Sequence, residues 1–198
     1  MIGSRILREL LSRGHTVTAI VRDPSKLVRS QAIVRKGDVL DPASVAETAS
    51  GADAVISAYA PPADDTGKVV DATRSLIAGL KKAGVQRFLM VGGAGSLLLP
   101  SGGQLVDAPD FPPVWKAIAL AHRDALDVIR QSDLDWTSFS PAAFIEPGAR
   151  TGKFRLGKDD LIADQKGESR ISAEDYAIAV VEELENPKHI RQRFTIGY

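Results

Sequence analysis

The sequence lacks cysteine, an excess of either charge and any long apolar run, and each absence excludes a class of protein. Without cysteine there are no disulfides, no Cys-ligated zinc and no thiol catalysis. This composition fits a reducing compartment, so we expect the protein to be cytoplasmic. Lysine plus arginine and aspartate plus glutamate both number 25, so a strongly basic surface for nucleic acid is not expected. No apolar stretch approaches about 18 residues, so no transmembrane helix is expected.

A first strand is also missing from the pattern. Doubly wound α/β domains open on a strand and a glycine-rich turn, whereas this chain opens on a helical pattern at residues 4–13. In strand order 3-2-1-4-5 the first strand lies in the middle, so the predicted strands 16–21 and 54–58 would each have an unpaired edge. We therefore expect the natural product to begin upstream of Met1. A mass spectrum of the endogenous protein that starts at Met1 would contradict this expectation.

The rest of the chain alternates between strand and helix patterns. Strands are predicted at 16–21, 32–34, 54–58, 87–91, 136–139 and 193–196, and helices at 4–13, 42–49, 68–84, 114–131 and from Ser172 to about 185. This alternation predicts a doubly wound parallel sheet with right-handed crossovers, in one domain that spans residues 1–198. About 147–170 we expect an irregular substrate-side segment that forms a small C-terminal cap. Ser172 and Asp175 form an acidic capping box.

The stretch from Phe88 to Ser96 organises the chain. An apolar run ends abruptly at Gly92, Gly93 and Gly95, which indicates a buried parallel strand followed by close backbone approach to another group. Ligands of open α/β sheets bind at the carboxyl ends of strands. The alternative is a tight strand-to-helix turn without a ligand.

Several motifs occur in order along nearly the whole chain. They are residues 91–97 (Val-Gly-Gly-Ala-Gly-Ser-Leu), 107–112 (Asp-Ala-Pro-Asp-Phe-Pro), 134–137 (Leu-Asp-Trp-Thr), 140–143 (Ser-Pro-Ala-Ala), 148–157, 171–177 and 193–198. With these motifs the chain resembles the NADH-flavin reductase-like branch of the atypical short-chain dehydrogenases, close to the NmrA-like proteins. The resemblance implies a Rossmann-type, NAD(P)-binding fold.

The resemblance also implies a set of cofactor-binding residues. They are Gly3, Arg22, Asp38, Val39, Ser57, Ala58, Tyr59, Gly92, Gly93, Ala94, Ser140 and Pro141. Gly3 matches the last glycine of the family's Gly-x-x-Gly-x-x-Gly motif, whose earlier glycines are absent here. Arg22 follows the second strand of the fold and favours NADP(H) over NAD(H), because a guanidinium suits a 2′-phosphate. The alternatives are a flexible terminal Gly3, an exposed strand-end Arg22, and Asp38 as a turn residue or helix cap.

Catalysis has to proceed without the usual Tyr-x-x-x-Lys pair of short-chain dehydrogenases. Neither Tyr59, Tyr176 nor Tyr198 is followed by lysine four residues later. Carbonyl reduction needs a proton donor, whereas a reduced flavin spreads its charge over a conjugated ring, so orientation can supply most of the catalysis. The absence therefore disfavours alcohol dehydrogenase and sugar epimerase chemistry. It is compatible with flavin or quinone reduction, and equally with no catalysis.

These observations give one main functional hypothesis and two alternatives. We expect hydride transfer from NAD(P)H to a free flavin or quinone-like acceptor, with the flavin as substrate rather than a tightly bound group. Ser96 and Lys116 are the catalytic candidates, and Phe144 is the candidate for binding the flat acceptor. The alternatives are a non-catalytic NmrA-like redox sensor that binds a partner protein, and a nucleotide-sugar epimerase or dehydratase. We expect a monomer or homodimer, with no metal, nucleic acid or membrane partner, and interpret His15, His122 and His189 as structural or surface residues.

Overall fold

The structure, a computed structural model, describes residues 1–27 and 31–198 as alternating helices and strands. The helices are α1 (Ile2–Ser12), α2 (Pro42–Ala49), α3 (Lys68–Ala83), α4 (Pro113–Arg130) and α5 (Ala173–Glu185). The strands are β1 (Thr18–Val21), β2 (Ile33–Lys36), β3 (Ala54–Ser57), β4 (Arg87–Val91), β5 (Asp135–Ser140), β6 (Phe144–Glu146), β7 (Arg155–Gly157), β8 (Arg170–Ser172) and β9 (Gln192–Gly197). None of the helices in these described ranges is long and apolar enough to cross a bilayer.

The strands form three sheets. The largest has the order β3-β4-β5-β9-β7, in which the first four strands are parallel and β7 runs antiparallel. Strands β1 and β2 form a separate parallel pair, and β6 and β8 form another. Within the described residues β1 and β3 are edge strands that are not paired with each other. The predicted α/β architecture is confirmed. The strands predicted at 16–21 and 54–58, which are β1 and β3, have the expected unpaired edges within the described residues.

Helices cover both faces of the large sheet, which explains the apolar runs of its strands. On one face α2, α3 and α4 enclose a core with Phe88 and Met90 of β4. On the other face α1 and α5 enclose a core with Leu89 of β4 and Phe194 of β9. Successive residues of β4 therefore point into opposite cores, which leaves its ends as the parts outside those two cores.

The turn and cap signals of the sequence are seen in the structure. Gly84 ends α3 with a φ of +74°, and the Ser172 hydroxyl accepts the backbone N–H of Asp175 at the start of α5. The largest differences from the predicted strand bounds are two residues, and they occur in β1 and β2. Strand β1 begins at Thr18 rather than residue 16, and β2 extends to Lys36 rather than residue 34. Both are short and half exposed, so their apolar pattern marks their ends poorly.

The predicted irregular segment is tied to α5 by one buried carboxylate. Asp175 is fully buried and accepts hydrogen bonds from the backbone N–H groups of Thr151 and Gly152 and from the hydroxyls of Thr151 and Tyr198. Burial by itself would raise the pKa of Asp175, but these donors outweigh it and lower the pKa. The segment after β6 and the C-terminus are thereby fixed to the same helix.

Candidate functional site

The glycine run that follows β4 packs against the protein itself. A Cβ on Gly93 would lie 2.8 Å from the Cβ of His122 in α4, and one on Gly95 would lie 2.7 Å from the Cβ of Ala119. A Cβ on Gly92 would lie 3.0 Å from a serine hydroxyl of β5. Contact with α4 therefore requires glycine at positions 93 and 95. The predicted approach of Gly92, Gly93 and the half-buried Ala94 to a nicotinamide stays a prediction.

His122 is the ionisable side chain that packs directly on this turn. Its Nδ1 is buried and has no hydrogen-bond partner among the residues that the structure describes. Burial lowers the pKa of His122 from its ordinary 6.5 to about 4, so the ring is neutral at pH 7. This contact was not predicted from the sequence, although the helical periodicity of α4 indicates it. His122 lies three residues from both Ala119 and Ala125, which places it on the buried face of α4.

A narrow cavity of about 10 Å³ adjoins His122 at the carboxyl ends of β3 and β4. Its walls include Ser57 and Tyr59 at the end of β3, and Met90 and Val91 of β4. This volume is about the space of one water, so the cavity is a narrow recess rather than a nucleotide pocket, and most of the side chains that line it are apolar. The structure thus brings the predicted residues Ser57 and Tyr59 to the same place as His122.

The predicted adenosine end lies at the ends of β1 and β2. Arg22 is exposed and makes no hydrogen bond or ion pair with any other described residue. Asp38 is exposed, and its Oδ1 accepts the backbone N–H of Leu40 at 2.9 Å, which is the turn role given above as the alternative. Val39 is half-buried against the α2–α3–α4 core. Arg22 and the second carboxylate oxygen of Asp38 remain available to a ligand.

Gly3 lies in the first turn of α1, beside the end of β3. A Cβ on Gly3 would lie 3.2 Å from the Cβ of Ala58, which is tighter than most such contacts. The two predicted residues therefore contact each other, and glycine allows α1 to approach β3 closely. Their predicted position beside a pyrophosphate stays a prediction.

Ser96 is held in a buried ion-pair network. The Arg193 guanidinium donates to the Ser96 hydroxyl at 2.8 Å and to its backbone carbonyl at 3.0 Å. Arg193 also pairs with Asp159 at 2.5 Å. This arrangement gives the Ser96 oxygen a structural donor on β9, and the Ser96 O–H can still donate a hydrogen bond of its own.

The other predicted residues lie around the carboxyl ends of β4 and β5. Lys116 is exposed in the second turn of α4. Ser140 and Pro141 are buried at the end of β5. Phe144 is 60% exposed, and the Arg170 guanidinium lies 5.7 Å from the centre of its ring. Phe144 is therefore in a cation–π contact with Arg170 while most of its surface stays exposed.

The tyrosines show where a proton donor could stand. Tyr176 is fully buried, and its hydroxyl donates to the backbone carbonyl of Phe139 at 2.6 Å. The hydroxyl of Tyr198 donates to Asp175 at 2.8 Å. Both are used within the fold, which leaves Tyr59 as the tyrosine whose hydroxyl has no partner among the described residues.

These residues fit a nicotinamide dinucleotide at both of its ends. Among the described residues the guanidinium of Arg22 has no partner and suits an adenosine phosphate, and His122 lies against Gly93, where the resemblance expects the nicotinamide. Between them, Gly3 gives α1 a close approach to β3. The donor set is therefore compatible with this cofactor.

Comparison with known proteins identifies the family of the chain. A model of the protein family described as NAD(P)H-binding matches residues 1–187. The Bacillus subtilis (strain 168) protein YwnB, itself uncharacterized, is 42% identical over 198 residues, which is 98% of this chain and 92% of that protein.

Solved structures of bacterial proteins are also similar. A Burkholderia pseudomallei protein described as exported is 51% identical with a TM-score of 0.92, over 100% of this chain and 95% of that one. A Bacteroides thetaiotaomicron protein described as a candidate epimerase is 47% identical with a TM-score of 0.92, over 100% and 92%. A Streptococcus pneumoniae protein described as a candidate NADH-flavin reductase is 38% identical with a TM-score of 0.87, over 99% and 93%.

Proposed function

Because the chain belongs to the NAD(P)H-binding family, we propose that it is an NAD(P)H-dependent oxidoreductase that reduces a free flavin or similar flat acceptor. The observation that carries this proposal is the placement of the tyrosines. No tyrosine of the described residues stands on α4, and Tyr176 and Tyr198 use their hydroxyls within the fold. The hydroxyl of Tyr59 has no partner among the described residues, but no lysine follows it four residues later, so the Tyr–Lys donor pair of carbonyl reduction is not formed. A carbonyl substrate would need such a donor pair, whereas a flavin does not. The name of the Streptococcus pneumoniae neighbour supports the same acceptor.

The proposed mechanism assigns binding and orientation to the protein. When bound, the reduced nicotinamide supplies the hydride. Arg22 and Asp38 hold the adenosine end, and the backbone at Gly93 with Ser57 and Tyr59 holds the nicotinamide half. The exposed ring of Phe144 binds the flat acceptor. Orientation of two bound rings can supply a large part of the rate enhancement.

Arg22 also supports a preference for NADPH over NADH. Its guanidinium is exposed and has no ion-pair partner among the described residues, so no internal contact must break before it binds a 2′-phosphate. A hydrogen bond to a charged group contributes about 1.5–3 kcal/mol, which corresponds to roughly 10- to 150-fold in affinity. NADPH should therefore bind about tenfold or more tightly than NADH.

The first test is oxidation of NADPH at 340 nm with FMN as acceptor. The assay uses the purified full chain. Saturable turnover is expected, and Arg22→Ala should raise KM for NADPH about tenfold while leaving NADH unchanged. Arg74→Ala, in an exposed arginine of α3, is the matched control. Equal effects of both variants would contradict the role of Arg22, and no turnover with FMN, riboflavin or quinones would contradict the reductase.

A redox sensor is the second candidate, because apolar side chains are exposed near the glycine run. Leu98 is 39% exposed, Trp115 59% and Val114 77%. Such a group is typical of a surface that binds another protein. Tight NADPH binding without turnover would favour this candidate. The epimerase alternative has the Bacteroides neighbour's name in its favour, but it needs the proton donor that α4 lacks.

A further inference from the structure

His122 combines a position against the glycine run with an unsatisfied polar atom. Its Cβ and Cγ would lie 2.8 and 3.1 Å from a Cβ on Gly93, so the imidazole begins directly over this turn. Nδ1 is buried without a partner among the described residues, whereas Nε2 is not enclosed in this way. Leaving a buried polar atom unpaired costs about 1–3 kcal/mol. An apolar side chain would fill the same space without that cost.

The surroundings decide which nitrogen carries the proton. The low pKa keeps the ring neutral at pH 7, so it has one N–H. An enclosed N–H without an acceptor would be the worse arrangement, so the proton resides on the accessible Nε2. His122 is therefore a neutral hydrogen-bond donor toward the accessible side.

The neighbours of His122 come from the ends of two adjacent parallel strands. Ser57 and Tyr59 at the end of β3, and Met90 and Val91 of β4, line the same recess. Burial is the sole cause of the lowered pKa, so no charged group competes for the ring. A neutral ligand with hydroxyl or amide groups suits this environment. The ribose and carboxamide of a nicotinamide nucleoside have such groups.

We propose that His122 binds the nicotinamide half of NAD(P)H by donating a hydrogen bond from Nε2. This rests on the proposed cofactor, but it does not depend on flavin as the acceptor. The ring also holds the Gly93 turn in place, so the donor and the backbone that would face the nicotinamide are positioned together.

The test separates the two halves of the cofactor. Binding of NADPH and of 2′,5′-ADP, which lacks the nicotinamide nucleoside, would be measured by calorimetry for wild type, His122→Leu and His122→Gln. We expect His122→Leu to weaken NADPH binding about three- to tenfold and to leave 2′,5′-ADP binding unchanged. His122→Gln keeps an N–H donor in a similar place and should retain most of the affinity. His15→Gln, in a surface histidine paired with Glu185, is the matched control.

A spectroscopic readout accompanies these affinities. The chain has only three histidines, so their side-chain ¹⁵N signals can be assigned by the same variants. The Nε2 signal of His122 should shift on addition of NADPH and not on addition of 2′,5′-ADP. If the wild-type protein prefers NADH, NADH replaces NADPH and ADP replaces 2′,5′-ADP in both measurements.

The other outcomes contradict either the role of His122 or the proposed function, and the two can be told apart. Unchanged NADPH affinity in His122→Leu would make the residue a space filler, and equal loss of both ligands with a lower Tm would make it structural. Failure of His122→Gln to retain affinity would exclude the hydrogen bond. No binding of either dinucleotide by wild type would overturn the proposed cofactor as well. Normal binding effects without FMN turnover would overturn the reductase and leave the role of His122 supported.

Discussion

The two sheets that carry the ends of the candidate site differ sharply in burial. Every residue of β1 and β2 is exposed or half-buried, and Ile33 of β2 is 51% exposed. In the large sheet, β5 and β9 are buried over all but their first residue, and Ile196 of β9 is 0% exposed. A two-stranded sheet is only marginally stable by itself, whereas a sheet covered by helices on both faces is stabilised by its buried side chains.

This difference divides the site into an open part and a fixed part. At the adenosine end, Arg22 and Asp38 are exposed, and Arg22 makes no ion pair within the described residues. At the nicotinamide end, Gly93 and His122 are held against each other by packing. We infer that the first end selects the cofactor through exposed charged side chains, while the second holds one geometry. Substitutions should therefore change stability in the second region and ligand preference in the first.

The largest expected effect is on the fixed part, in the Asp175 network. Asp175→Asn keeps the volume but replaces one acceptor oxygen by a donor that faces the hydroxyls of Thr151 and Tyr198. We expect the free energy of unfolding to fall by about 2–4 kcal/mol, because buried groups lose their partners. Urea unfolding would measure this. Asp127→Asn, in an exposed ion pair with Arg130, should change stability by less than about 0.5 kcal/mol. Similar values for both variants would remove the contrast between buried and exposed regions.

The acid dependence of stability should report the burial of His122. The folded pKa is about 4 and the ordinary value is 6.5, so the unfolded chain binds more protons between these values. Stability is therefore fully present above pH 6.5 and falls as the pH drops toward 4, by about 3 kcal/mol in total. Of the described side chains that line the recess, Tyr59 is the only other one with an ionisable group. His122→Gln should reduce this loss of unfolding free energy at acid pH, whereas His15→Gln should not. Urea unfolding from pH 4 to 7 measures both variants.

Gly93 tests whether the fixed geometry comes from packing. Gly93→Ala would place a Cβ 2.8 Å from that of His122, which forces α4 or the turn to shift. We expect a loss of about 1–3 kcal/mol in unfolding free energy, together with weaker NADPH binding. Gly67→Ala is the control, because its φ is −58° and no atom lies within 4 Å of its added Cβ. If Gly93→Ala were as harmless as Gly67→Ala, the turn would be adaptable rather than fixed.

How far the sequence predicts this arrangement depends on which signal each residue carries. Local signals were sufficient for Gly84 and for the Ser172 cap, because each acts within a few residues of chain. The contact of His122 with Gly93 joins positions 29 residues apart, and only the helix periodicity of α4 indicated that His122 faces inward. The partner of Ser96 is further still, because Arg193 lies 97 residues away on β9. Tertiary pairings of this kind leave no trace in local spacing. Strands β1 to β5 and β9 were therefore predictable, whereas the three-residue strands β6, β7 and β8 and the partners of the site residues were not.

The smallest expected effect comes from removing one methylene group from a side chain in each of the two sheets. Ile196→Val removes a methylene from a fully buried side chain and should cost about 1 kcal/mol, whereas Ile33→Val on the exposed β2 should cost close to nothing. The pair is chemically identical, so the difference in urea midpoints measures burial alone. Equal losses would mean that the exposed sheet is packed in solution by something beyond the described residues, and β1 and β2 would then belong to the fixed part. A loss only at Ile196 would keep the adenosine end as the open region, where Arg22 can choose between cofactors at little cost to the fold.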